Sequence, residues 1–216
     1  MLQTIEEIFA KISPLIGKVF TLPKTKHKGL PGHLLETLVG IPQTSNCLDC
    51  SDGELKTFPI KELKNKTTVP KETMCMTMLS EDELRTNDFK SSKCYKKMSK
   101  MLIVPYYRNG DNVVFTNLKI IQLESDYPEL YDQIVSDYNE IRNNFIENGI
   151  LQSKTGKLLQ NRTKGAKGTK TRAFYLRPEF MKQIIPLSMP TITEPTITES
   201  SPLEIENVIA PVNNYV

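Results

Sequence analysis

The spacing of apolar positions alternates along the chain between a helical and a strand period. Ile5, Ile8, Phe9 and Ile12 recur at the interval of one helix face, and Thr4 with Glu7 three residues later forms a capping box. A helix is predicted there, which Pro14 ends or turns. Gly32 to Leu38 reads as a second helix that carries Glu36 inward among Leu34, Leu35 and Leu38. An acid among leucines is costly to bury unless it meets a cation or a hydrogen-bond donor. After the turn-prone Ser51-Asp52-Gly53 the period shortens to two. Glu54 to Ile60 then reads as a short strand with Glu54 and Lys56 on one face and Leu55 on the other.

Lys61 to Lys71 is polar and reads as a loop, and Glu72 to Leu79 as a core strand extending the sheet that holds Glu54. The stretch from Lys93 to Tyr106 begins as a basic helical turn and becomes a buried strand. Arg108 to Asn112 is a predicted hairpin turn leading into Val113-Val114-Phe115. A long helix is predicted over Tyr127 to Asn148, with Leu130, Ile134, Tyr138, Ile141 and Phe145 inward and Gly149 as its stop. Phe180 to Ile185 closes the last helix. Residues 1–186 read as one domain and 187–216 as a disordered tail, in which Pro-Thr-Ile-Thr-Glu occurs twice between Pro190 and Glu199.

Composition adds a charge asymmetry to this outline. The formal net charge is only +3, yet Lys154, Lys157, Arg162, Lys164, Lys167, Lys170 and Arg172 form a stretch without an acid. After Pro186 the chain has Glu194, Glu199, Glu204 and Glu206 without a lysine or arginine. The body is therefore more basic than the whole-chain figure, as a binder of nucleic acid would be. Cys47-x-x-Cys50 has the spacing of half a zinc site, but Cys75 and Cys94 stand singly, so reduced thiols are expected. The chain has no apolar run of membrane-spanning length, and acids occupy its start where a signal peptide is basic. The expected location is the cytoplasm, or whichever compartment holds the substrate.

Candidate chemistry centres on Asp49, Glu54 and Lys56. Two carboxylates across a turn can hold a hard divalent cation, and a lysine beside them can orient or help deprotonate an attacking water. Phosphodiester hydrolysis requires those parts. Asp52 is the alternative first carboxylate, although its place beside Gly53 suits a turn residue. Glu-x-Lys is also a common pattern in solvated strands, and Glu36 read alone is equally an exposed helix residue.

The surroundings carry a resemblance. Lys28-Gly29-Leu30-Pro31-Gly32-His33-Leu34-Leu35-Glu36, then Leu38-Val39-Gly40, then Gly53-Glu54-Leu55-Lys56-Thr57-Phe58-Pro59-Ile60 resemble the family joining the mismatch-repair nicking endonuclease MutH to Sau-type restriction enzymes that cut at GATC. The resemblance implies an α/β restriction-endonuclease-like fold, a mixed β-sheet flanked by helices with a DNA-binding cleft. It also implies a Mg²⁺-dependent, sequence-specific DNA endonuclease. Asp49 and Glu54 become metal-binding carboxylates, Glu36 a helix-borne acid facing the metal, and Lys56 the catalytic lysine. Lys97 matches a lysine near the scissile phosphate. Lys28, Arg162 and Lys164 match the DNA-facing side, and Tyr175 a tyrosine near the adenine whose methylation the repair member senses. One departure is that the family's first carboxylate usually lies where this chain has Cys47, so Asp49 requires a shortened hairpin. The implied partner is double-stranded DNA, with a homodimer on DNA or a repair protein beside it. A restriction-type role is favoured, with MutH-like nicking as the alternative and a non-catalytic DNA-binding module as the reading from another class.

Overall fold

The structure is a computed structural model and describes residues 2–23, 29–42, 44, 46–166 and 168–191. Lys28 and all of the acidic tail beyond residue 191 lie outside the described residues.

The fold is built on a parallel pair of strands. β2 (Glu54–Glu62) lies beside β5 (Lys100–Asn109), registered from Glu54 opposite Met101 to Ile60 opposite Tyr107. Parallel strands are usually covered on both faces, and Met101 through Val104 are fully buried. Leu55, Leu102 and Val104 face α1 (Ile5–Ile12) and α2 (Leu30–Val39), while Phe58, Met101 and Ile103 join the core on the opposite face. The capping box predicted at Thr4 and Glu7 is present. β1 (Val19–Thr21), β3 (Thr68–Pro70), β6 (Asn112–Phe115) and β7 (Lys119–Gln122) complete a mixed sheet.

Pro105 interrupts the central strand without leaving an orphan donor, because it falls at a change of neighbours. Residues 100–103 of β5 pair with β7, and residues 106–109 pair with β6. A proline, which has no N–H, fits that gap. The predicted turn between β5 and β6 forms around Gly110, whose φ is +60°.

A second sheet runs in the order β4 (Met74–Met78), β9 (Arg172–Leu176), β8 (Leu159–Thr163), all antiparallel. This corrects two expectations. β4 does not extend the sheet bearing Glu54, and the segment expected as loop contributes the end of β2 and all of β3. At the end of β3 the Lys71 N–H returns to the Pro59 carbonyl, which turns the chain off that edge. β4 then finds its backbone partners on β9.

α6 (Pro128–Asn148) joins the two sheets. Ile134, Tyr138 and Ile141 enter the core, and the Tyr138 ring stacks on Phe174 of β9 with centroids 5.5 Å apart. The fully buried Asp137 on the same helix accepts the backbone N–H groups of Lys157 at 2.9 Å, Leu158 at 2.6 Å and Leu159 at 2.8 Å. It thereby fixes the entry to β8. Gly156 is confined by this arrangement: its φ is +82°, and a Cβ there would lie 1.9 Å from the Leu159 carbonyl. α3 (Glu81–Thr86), α4 (Lys93–Met98), α5 (Leu123–Asp126) and α7 (Pro178–Ile184) fill the remaining connections.

Asp137→Ala leaves those backbone donors buried without their acceptor, at roughly 1–3 kcal/mol for each donor that cannot be rehydrated. Urea denaturation should show a midpoint well below that of the parent, with Asp137→Asn falling between the two.

Candidate active site

Three segments converge where β2 begins. α2 starts with Pro31 in its first turn and ends at Gly40, whose left-handed φ of +73° lets its N–H reach the Glu36 and Thr37 carbonyls. Leu34, Leu35 and Val39 are buried, and Glu36 is half-buried with His33 one turn away, 3.9 Å from its carboxylate. Leu38, expected inward, is 45% exposed, because the buried stripe of α2 passes through Leu35 and Val39 instead.

Asp49 lies in a series of bends before β2, so the region is not the shortened hairpin expected from the sequence. A reciprocal brace fixes it. Its N–H donates to Glu54 Oε2 at 3.3 Å, while its own Oδ2 accepts the Leu55 N–H at 3.2 Å. Gly53 permits the close approach behind this brace, since a Cβ there would lie 2.6 Å from Ile5 Cγ1 and 2.8 Å from the Lys100 carbonyl oxygen. Asp52 faces different partners: it accepts the Ile5 N–H at 2.9 Å and pairs with Lys100. Lys100 also pairs with Glu6 at 2.8 Å. It is a structural tie among α1, the bends and β5.

Glu54 is 1% exposed, and Lys56 Nζ and Lys97 Nζ each lie 2.6 Å from its Oε1. Lys56 comes from the same face of β2, two residues on, and Lys97 from the last turn of α4. Electrostatics follow from this crowding. Burial raises the Glu36 carboxyl above its usual range, and the charges of Asp49 and Glu54 add to the rise against the pull of Lys56. Asp49 is also raised, by burial first and by Glu54, although Lys56, Lys97 and the Leu55 N–H oppose the shift. Burial pulls the Lys56 ammonium down, but Glu54 and Asp49 outweigh it and hold the group above the ordinary lysine value. Lys56 is therefore a charged donor at neutral pH.

Glu36 and the two lysines that pair with Glu54 line a cleft of about 560 Å³, with Gly32 on the same side and Cys75, Thr77 and Lys164 on the other. Lys164 Nζ donates to Cys75 Sγ at 3.4 Å. The Arg162 guanidinium lies 5.7 Å from the centre of the Tyr175 ring and donates to Thr73 Oγ1 at 3.0 Å. Burial and Cys75 push the Tyr175 hydroxyl up to about 12. The structure thus brings Glu36, Asp49, Glu54, Lys56 and Lys97 together, with Arg162, Lys164 and Tyr175 on the second sheet. Cys75 and Thr77 were not singled out from sequence. The alternation of β4 held the signal, since burying Met74 and Met76 turns Cys75 and Thr77 the other way.

Among the described residues, no three His, Cys, Asp or Glu side chains form a ready-made metal cage. Mg²⁺ does not require one, because it is commonly held by one or two carboxylates together with substrate phosphate and water. Hard carboxylate oxygens that repel one another suit such a cation. The four cysteines are free thiols, and burial raises Cys50 to about 12, which disfavours the thiolate a zinc ligand needs.

The family described as DNA mismatch repair enzyme MutH matches residues 44–144, a span that includes Asp49, Glu54, Lys56 and Lys97. No curated protein matches the chain. Among the described residues, no helix is long and apolar enough to cross a membrane.

A raised carboxyl binds its proton more tightly in the folded than in the unfolded chain. Its contribution to stability is full below the ordinary carboxylate pKa and is lost as pH rises through the folded value. Glu36→Gln and Asp49→Asn should therefore raise the melting temperature in EDTA at about pH 7.5, and the gain should shrink as pH falls towards about 4. Calorimetric melts across that range check the sign.

Proposed function

We propose that this chain, a MutH-like DNA endonuclease by the match over residues 44–144, hydrolyses DNA at specific sites, GATC among them, in a Mg²⁺-dependent reaction. The observation supporting this reading most is the buried Glu54 beside Asp49 and Glu36, bearing two ammonium groups at the floor of a cleft whose far wall carries Lys164. Asp49, Glu54 and Glu36 would hold the cation, which when bound supplies positive charge at the scissile phosphate and acidity for the attacking water. Lys56 is the donor that orients the water. The raised proton affinity of its amine favours positioning and charge stabilisation over proton removal. Lys97, with its Nζ 2.6 Å from Glu54 Oε1, would neutralise charge that builds on the phosphate.

Arg162, Lys164 and Tyr175 form the opposite DNA-facing wall. The first two meet phosphates or base edges, and the Tyr175 ring gives an apolar face next to a cation. Lys28 completes the set from the sequence match and lies outside the described residues. Residues 1–186 are the nuclease domain in this reading, and 187–216 an acidic appendage.

Supercoiled plasmids, GATC-methylated and unmethylated, incubated with Mg²⁺ or EDTA test the reading directly. Discrete linear fragments formed only with Mg²⁺ and lost in Glu54→Gln are the expected result, whereas nicked circles alone would assign single-strand cleavage. Intact plasmid together with retained DNA binding would overturn catalysis and leave a binding module. Lys56→Met should lower kcat roughly a hundredfold or more, as loss of an oriented donor does. Its DNA affinity in EDTA should stay close to the parent's.

A further inference from the structure

The residues leading into α1 touch both segments that carry the helix-borne and loop-borne acids. Gln3 Nε2 donates to the Val39 carbonyl at 3.3 Å and to the Gly40 carbonyl at 3.0 Å. These are the last carbonyls of α2, which have no donor within the helix. The same residue's main-chain carbonyl accepts the Ser51 N–H at 2.9 Å and the Ser51 hydroxyl at 3.3 Å. Val39 follows Glu36 by three residues and Ser51 follows Asp49 by two. Gln3 is held in turn, since Lys11 on α1 donates to its Oε1 and to the Val39 carbonyl.

Along the chain the two joined segments are connected through 42–48, a stretch with neither helix nor strand among its described residues. Their carboxylates share a partly desolvated space, where like charges push apart more strongly than in water. At each end the attachment is to a rigid point. The Gly40 and Ile41 N–H groups both reach the Glu36 carbonyl, and the Asp49 brace ties the bends to β2. A displacement at either attachment therefore reaches the acid. The clasp itself lies on the side of α1 and contributes nothing to the cleft lining.

We propose that Gln3 is a positioning residue for the metal-dependent reaction, its amide and its carbonyl setting the separation of Glu36 and Asp49. This rests on the reading that those two acids serve one cation site. The reaction gains a preset donor spacing, and the repulsion between the acids is opposed from outside the cleft rather than within it. Gln3→Glu retains the length of the side chain and the acceptor for Lys11 but loses the donor to Val39 and Gly40. Gln3→Ala removes the side-chain half altogether. Asn117→Ala is the matched control, since Asn117 Nδ2 also makes a long-range bond to a main-chain carbonyl, that of Pro186 at 3.1 Å, away from the acids.

Mn²⁺ binding by the full chain, measured from the loss of the free-ion EPR signal with a short GATC duplex present, gives a readout separate from turnover. Both Gln3 variants should bind Mn²⁺ roughly fivefold more weakly, the factor that one net hydrogen bond is worth. Melting temperature and DNA affinity in EDTA should match those of Asn117→Ala. In a Glu36→Gln background the Gln3 effect should fall below roughly twofold, because one of the two acids it positions is gone. Metal affinity unchanged from the control, or an equal loss in the Glu36→Gln background, would overturn the proposal. If the parent chain itself bound no Mn²⁺, the cation-site reading would fail first, a result distinct from a parent that binds and a Gln3 variant that binds equally well.

Discussion

Concentrating negative charge at the start of a buried strand is the constraint on which this molecule is arranged. Glu54 occupies the first position of β2 with almost no access to water; its charge helps raise the proton affinity of both Asp49 and Glu36, and that of Asp49 adds to the rise at Glu36. A carboxylate so placed is tolerated only with partners. Lys56 supplies one at no cost in topology, since the strand period brings it to the same face. Lys97 must come from another element, and the packing of α4 against β5 delivers it. Sites that crowd like charges in this way are commonly less stable than a neutral substitute would be.

The architecture holds those charges by making the central strands rigid and letting short ties do the rest. β2 and β5 are parallel and buried on both sides, so the face that carries Glu54 and Lys56 cannot slip by one residue without moving Leu55 out of the opposite core. Gly53 allows α1 to close on the bends from behind, and Asp52 with Lys100 pins that closure. Asp52 and Asp49, three residues apart, thus have opposite duties. One carboxylate ties α1 and Lys100 to the bends, and the other braces the start of β2.

The parts visible in the sequence are those set by near neighbours. The Thr4–Glu7 box, the end of the long helix at Gly149 and the shared face of Glu54 and Lys56 depend only on residues within about one turn or one pleat, and all are present. Contacts made across the fold were not legible. Nothing around Met74 distinguishes pairing with β3 from pairing with β9, because the methionines bury equally well either way. Lys100 belongs to a run of lysines, and only the position of α1 shows that its partners are Glu6 and Asp52. Asp137 reads as one more polar residue on an amphipathic helix, yet it organises the turn into β8 from twenty residues away. The candidate acids were legible through their spacing and through a family pattern; Asp49 and Asp52 were separated by tertiary contacts alone.

The two sheets divide the demands that a polyanionic substrate makes on one cleft. Phosphates repel carboxylates, so a cleft lined by acids alone would resist a polyanionic duplex. The second sheet offsets this with Lys164, which follows β8 and lines the far side of the opening, and with Arg162 beside Tyr175, while α4 brings Lys97 to Glu54. Arg162 and Lys164 make their contacts with Thr73 and Cys75 instead, which leaves Lys56 and Lys97 as the ammonium partners of Glu54. Asp137 is the joint in this division. By fixing the start of β8 to α6, which also packs on the sheet bearing the acids, it sets where the cationic wall stands relative to the site it serves.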